Sequence, residues 1–155
     1  VDNNPREQRP DGQDIPGSDN GLMQVKCSGV PIEKIGMVWS QAMPLLVPAL
    51  GEGELIETVI HRLFLGSAQL WVAADGNRLC AACVTEIPIR NKRKYCNIWL
   101  AGGSGLNNWL SYLPRVEEWA RANGCHAMLI EKARIGWKRI LPDYKTKTIQ
   151  MVKEL

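Results

Sequence analysis

Cys80 and Cys83 stand at the spacing that metal and disulfide chemistry use, in the run Cys80-Ala-Ala-Cys83. No second such pair lies near them, and His61 and His126 are the two histidines of the chain. The surrounding residues read as a strand, where positions three apart point to opposite faces, so the two sulfurs should not converge on one ion. The cysteines (Cys27, Cys80, Cys83, Cys96, Cys125) are odd in number and scattered through apolar segments. That usage suits reduced thiols serving as small core residues. Neither a metal site nor a redox pair is expected.

Charge offers a second kind of chemistry. Residues 1–25 carry net −3, residues 26–89 net −2 and residues 90–155 net +8. A basic half can meet phosphate, on nucleic acid or on a nucleotide cofactor, or can simply be a solvated face. Arg90, Lys92, Arg93 and Lys94 crowd one turn, with Tyr95 beside them as the aromatic. Nucleic-acid contact there would show as steep salt dependence. Six tryptophans against one phenylalanine are also unusual. Trp71, Trp99 and Trp119 fall on core-facing periods, whereas Trp109 and Trp137 can wall a cleft, fill one or anchor a partner.

The elements that must position these groups begin at about residue 22. Residues 1–21 hold three prolines, three glycines and only Val1 and Ile15 as aliphatic side chains. Such a polar arm cannot offset its own ordering entropy, so it is expected to order on a neighbouring chain. Beyond it, 45% hydrophobic residues over the whole chain suit one globular domain. No run of 18 apolar residues is present to cross a membrane.

Leu22–Cys27 alternates as a strand. Pro31 opens a helix that Pro44 and Pro48 should stop or kink. A second helix is expected from Glu52 to Leu65, with Gly66 after its end. Ala68–Ala74, Arg78–Ile89 and Tyr95–Ala101 make an antiparallel meander, its first turn at Asp75-Gly76-Asn77. A glycine loop, Gly102-Gly103-Ser104-Gly105, leads to a helix closed by Gly124. His126–Glu131 then reads as a buried strand, Ile135–Leu141 as a short helix and Lys145–Val152 as a final strand.

This order resembles the GNAT fold, the acyl-CoA-dependent N-acetyltransferase architecture. The resemblance covers residues 22–155 and implies an α/β class: a mixed, mainly antiparallel sheet flanked by helices, here with an extended N-terminal arm. The stretch Val116-Glu117-Glu118-Trp119-Ala120-Arg121-Ala122-Asn123-Gly124-Cys125, with Ala133-Arg134-Ile135-Gly136-Trp137-Lys138-Arg139-Ile140-Leu141, is similar to small GNAT-like proteins of tailed bacteriophages. The family holds its cofactor's diphosphate on amides of a glycine loop at a helix N-terminus. The resemblance implies that Gly103, Ser104, Gly105 and Asn108 would take acetyl-CoA. Leu100 stands where the family has Gln or Arg. Pro114 lies either inside the following helix or at its start, beyond reach of the loop. Where the family places a phenol for the departing thiolate this chain has Arg139, so Tyr144 serves only in a shifted register. Glu86 can take a proton from an amine, directly or through water; otherwise it is a solvent-facing strand residue or pairs with Arg90.

The departures at Leu100, Pro114 and Arg139 predict a scaffold kept for packing. The first expectation is a bacteriophage virion structural or assembly component, without catalysis or cofactor. It would be made in the host cytoplasm and bound through its arm to other phage structural proteins. The alternative is an acetyl-CoA-dependent N-acetyltransferase acting on a small amine or a protein lysine. Titration with acetyl-CoA separates the two.

Overall fold

The computed structural model describes residues 25–104, 110, 113–133, 137–147 and 151–154. The arm, residues 1–21, lies outside them, as do Gly105, Asn108 and Trp109. Strand β1 (Val25–Val30) is followed by a 3-10 turn (Ile32–Lys34), helix α1 (Ile35–Leu46), a second 3-10 turn (Val47–Ala49) and helix α2 (Ile56–Leu65). Strands β2 (Ala68–Asp75), β3 (Arg78–Glu86), β4 (Ile89–Arg90) and β5 (Arg93–Gly103) come next. Helix α3 (Leu113–Ala122), strand β6 (Cys125–Leu129) and helix α4 (Trp137–Ile140) complete the described elements.

The strands form one sheet in which β1, β2, β3 and β5 pair antiparallel in that order. Strand β4 pairs the start of β5, and β6 pairs β5 in parallel. Alternation along the strands feeds two cores. Leu70, Val72, Ala82, Val84 and Leu100 face α1 and α2, meeting Ile35, Leu46, Val59 and Leu63. Trp71, Ala73, Cys83, Cys96 and Ile98 face the other way, toward Leu113, Val116 and Ala120 of α3. Trp71 and Trp119 meet edge to face there, 5.3 Å between centroids, and the Trp71 indole N–H donates to the buried Thr85 hydroxyl at 3.0 Å.

Several expectations are corrected. Helix α1 runs through Pro44 to Leu46 and passes into a 3-10 turn, because a proline in the last turn disturbs little of the ladder behind it. Helix α2 starts at Ile56 instead of Glu52: Gly53 takes φ 77°, outside helical space, and the Glu54 side chain accepts the Gly51 N–H at 2.7 Å. Helix α3 contains Pro114, and Leu110 is also helical; where that helix begins lies outside the described residues. Strand β6 is half exposed, not buried, being an edge among the described residues. Of the final strand expected over 145–152, residues 148–150 lie outside the described residues, and 145–147 and 151–154 are not strand, Met151 and Val152 being 91% and 76% exposed.

The cysteines of the CxxC run lie in the core as expected, but the opposite-face geometry is corrected. The β2–β3 register shifts between Ala73 and Ala74, leaving Cys80 as an extra residue, so Cys80 and Cys83 reach the same core. All five cysteines are free thiols. Burial pushes Cys27 up to about 11 and Cys96 up to about 12, where a thiol stays protonated and unreactive. Among the described residues no group of His, Cys, Asp and Glu could hold a metal ion. Nor is any helix there long and apolar enough to cross a membrane.

Candidate active site

A second register shift positions the site. Val84 pairs Leu100 but Thr85 pairs Ile98, so Trp99 is the extra residue of a bulge in β5. A bulge re-aims side chains: Ile98 belongs to the α3-side core, whereas Trp99 and Leu100 both pack on the α2 side. Just before it, β5 and β6 separate. Their parallel pairing ends at Asn97↔Leu129, while β5 continues to Gly103.

At this parting lies a cavity of about 230 Å³ lined by Glu54, Arg62, Glu86, Asn97, Ile98, Trp99, Glu131 and Lys132. A neighbouring one of about 270 Å³ shares Arg62 and Glu86 with it and extends to Ser67, Ile87 and Pro88. The Arg62–Glu86 pair therefore lines both cavities.

Glu86, on the last residue of β3, sits directly opposite Asn97. Its Oε1 accepts the Asn97 Nδ2–H at 3.0 Å and its Oε2 accepts from Arg62 Nη1 at 3.0 Å. Its ion-pair partner is thus Arg62 from α2, not Arg90, which pairs with Glu131. The Arg62 guanidinium also lies 5.0 Å from the centroid of the Trp99 ring.

Glu54 is held differently. It accepts the Trp99 indole N–H at 2.6 Å and the Gly51 N–H at 2.7 Å, with Lys132 Nζ at 3.3 Å. Burial alone would raise its pKa. The Trp99, Gly51 and Lys132 donors together outweigh that, and the carboxyl titrates below its ordinary 4.5. The folded state thus favours ionised Glu54 more than the unfolded chain does. That stability is complete above the ordinary carboxyl value and is lost as pH falls from there through the lowered folded value. Urea unfolding between pH 6 and 3 should show a shallower acid decline for Glu54→Gln than for the natural chain; parallel declines would remove Glu54 from the acid response.

Tyr144 lies elsewhere. Its ring packs against the α3-side core and its hydroxyl donates to Glu117 Oε2 at 2.8 Å. Burial first, then the Glu117 hydrogen bond and charge, push the phenol well above its usual range. The structure does not bring Tyr144 to the cavity that Glu86 lines.

Of the glycine loop, Gly102, Gly103 and Ser104 are described. Gly103 takes φ 128°, and the Ser104 N–H donates to the Cys80 carbonyl at 2.7 Å, extending the β3–β5 ladder. Trp99, expected in the core, packs against the α2-side core and also forms a wall of the cavity, and Trp137 packs on the α3-side core. Arg62, Asn97, Glu54, Glu131 and Lys132 were not legible as site residues. One sign was available for Asn97, a lone amide in the apolar run Cys96-Asn97-Ile98-Trp99-Leu100.

No protein-family model matches the sequence, and no curated protein is similar to it in sequence. Solved structures are similar in fold. Glucosamine-6-phosphate N-acetyltransferase from Arabidopsis thaliana superposes with a TM-score of 0.59 at 16% identity, over 84% of this chain and 97% of that one. A GNAT family acetyltransferase from Staphylococcus aureus gives 0.58 at 14% identity, over 84% and 98%. A predicted acetyltransferase from Clostridium acetobutylicum, crystallised with acetyl-CoA, gives 0.58 at 14%, over 84% and 95%. The chain has the GNAT-like fold, a mixed α/β sheet with flanking helices; the likeness says nothing of a phage origin.

Proposed function

We propose that the protein is an acetyl-CoA-dependent N-acetyltransferase acting on a small amine or a protein lysine. This places the catalytic alternative ahead of the assembly role, whose motivating arm lies outside the described residues. The observation that carries the reading is the parting of β5 from β6 beside a carboxylate-lined cavity. The acetyltransferases that share the fold, one of them holding acetyl-CoA, support it.

The chain's fit to acetyl-CoA is uneven along the cofactor. Past Asn97 the β5 edge that faces away from β3 has no strand partner among the described residues. Such an edge suits an amide-bearing chain that pairs like a strand, so residues 98–102 would hold the pantetheine arm. The Ser104 amide is already committed to Cys80 and does not serve the diphosphate. When bound, the cofactor supplies an acetyl group activated as a thioester; the amine nitrogen gains the new C–N bond as the C–S bond breaks.

The residues of the chain prepare the amine. Glu86 accepts the proton that the attacking nitrogen must lose, directly or through one water. Arg62 and Asn97 fix the plane of that carboxylate from two sides. Glu54 is saturated with donors and serves as a support for Trp99 instead.

Acetyl-CoA titration tests the reading. A thermal midpoint that climbs with cofactor at micromolar concentration, together with thiol release when amines are added, is the expected result. No shift up to millimolar cofactor and no thiol release across a panel of amines and lysine peptides would reject it.

A further inference from the structure

We infer that Asn97 is a positioning residue for the transfer, acting through Glu86 and the backbone of Glu131; the inference rests on the transferase reading above. Asn97 is 3% exposed and, with Thr85, is one of two buried polar residues among those described. Thr85 is explained by its ties to Trp71 and Gln69. The ties of Asn97 run instead to a cavity carboxylate and to the chain just past β6. An apolar residue would fill its place without the cost of removing an amide from water.

What Asn97 does is join three strands at one point. It belongs to β5, and its Nδ2–H donates to Glu86 at the end of β3. Its Oδ1 accepts the N–H of Glu131, just past the end of β6, at 3.3 Å. It is also the last β5 residue paired to β6 before the strands separate. One side chain therefore pins the apex of the cleft and aims the carboxylate beside it. The other donor to Glu86, Arg62, comes from a half-exposed side chain, 46% accessible, which solvent screens. The buried amide is the firmer of the two restraints.

A purely structural staple would act on folding alone, so the test separates the two bonds. Asn97→Asp keeps an oxygen for the Glu131 N–H but turns a carboxylate toward Glu86. In the natural background it should lower kcat roughly 30-fold or more, on the scale of a misplaced catalytic group. The KM for acetyl-CoA should move by less than about threefold, because the edge proposed for the pantetheine arm begins at residue 98, beyond this bond. In a Glu86→Gln background the same substitution should cost less than about twofold, since residues acting as a unit are non-additive. Urea unfolding of the same four proteins gives a second readout without activity: Glu86→Gln should recover stability that Asn97→Asp loses. Equal kinetic losses in both backgrounds, with additive stabilities, would overturn the inference and leave the transferase reading intact. A natural chain that neither binds acetyl-CoA nor releases thiol would overturn that reading, and Asn97's part in transfer with it.

Discussion

Gly102→Ala is expected to lower the unfolding free energy by about 3 kcal/mol or more, a hundredfold or greater loss in the folding constant. A Cβ at Gly102 would land inside contact distance of the Leu45 carbonyl oxygen, near the end of α1. The obstacle is backbone, so no rotamer change relieves it. Gly103→Ala meets the Cys80 carbonyl and the Ala81 Cα in the same way and must in addition hold φ 128°. Gly36 is the internal control. It lies in α1 with nothing within 4 Å of the added carbon, so Gly36→Ala should be neutral or stabilise by about 0.5–1 kcal/mol through helix propensity. Urea midpoints for the three variants check this, and a Gly102→Ala midpoint equal to that of Gly36→Ala would refute it. The first reason for the glycines at 102–103 is the close passage of β5 between α1 and β3. Cofactor binding, if it uses this loop, is built on that packing.

The same residues show where sequence reasoning reaches its limit. The meander was legible because two short apolar runs, in Ala68–Ala74 and Arg78–Ile89, flank a polar turn at Asp75-Gly76-Asn77. Gly66 and Gly124 close α2 and α3 as their spacing predicts. Glu86 was found as a candidate because a carboxylate on a central strand is conspicuous. Its partners were not, since Arg62 is 24 residues away and Asn97 is 11. Only the fold of α2 over the sheet and the β3–β5 register join them. The bulge at Trp99 is harder still: it reverses the inward–outward parity of β5, so a strict alternation from Cys96 and Ile98 sends Leu100 to the α3-side core, whereas it packs beside Trp99 on the α2 side. Cys80 deceives in the same way, through the other bulge. Tyr144 was nominated by a shifted register, and its hydroxyl is committed to Glu117 instead.

Glu86→Gln should reduce kcat/KM for the amine by about 10²–10⁴, the range a positioned general base supplies. The substitution keeps an oxygen to accept from Asn97 but gives the Arg62 side an amide in place of a charge. The Arg62–Glu86 pair is partly exposed, with side chains 46% and 24% accessible, so its loss should change stability by no more than about 1 kcal/mol. Acetyl-CoA should bind within about twofold of its natural affinity, because the proton acceptor serves the amine. Glu54→Gln supplies the contrast within the same cavity. Glu54 receives Trp99, Gly51 and Lys132, so its neutralisation should register in the acid stability curve and leave turnover within about fivefold. The two carboxylates thus divide by occupancy: the one loaded with three donors holds the wall, and the one with lone pairs left open takes the proton. Steady-state kinetics on both variants, with unfolding measured on the same preparations, decide it. Loss of turnover in Glu54→Gln with Glu86→Gln active would reverse the assignment, moving the base to the mouth of α2.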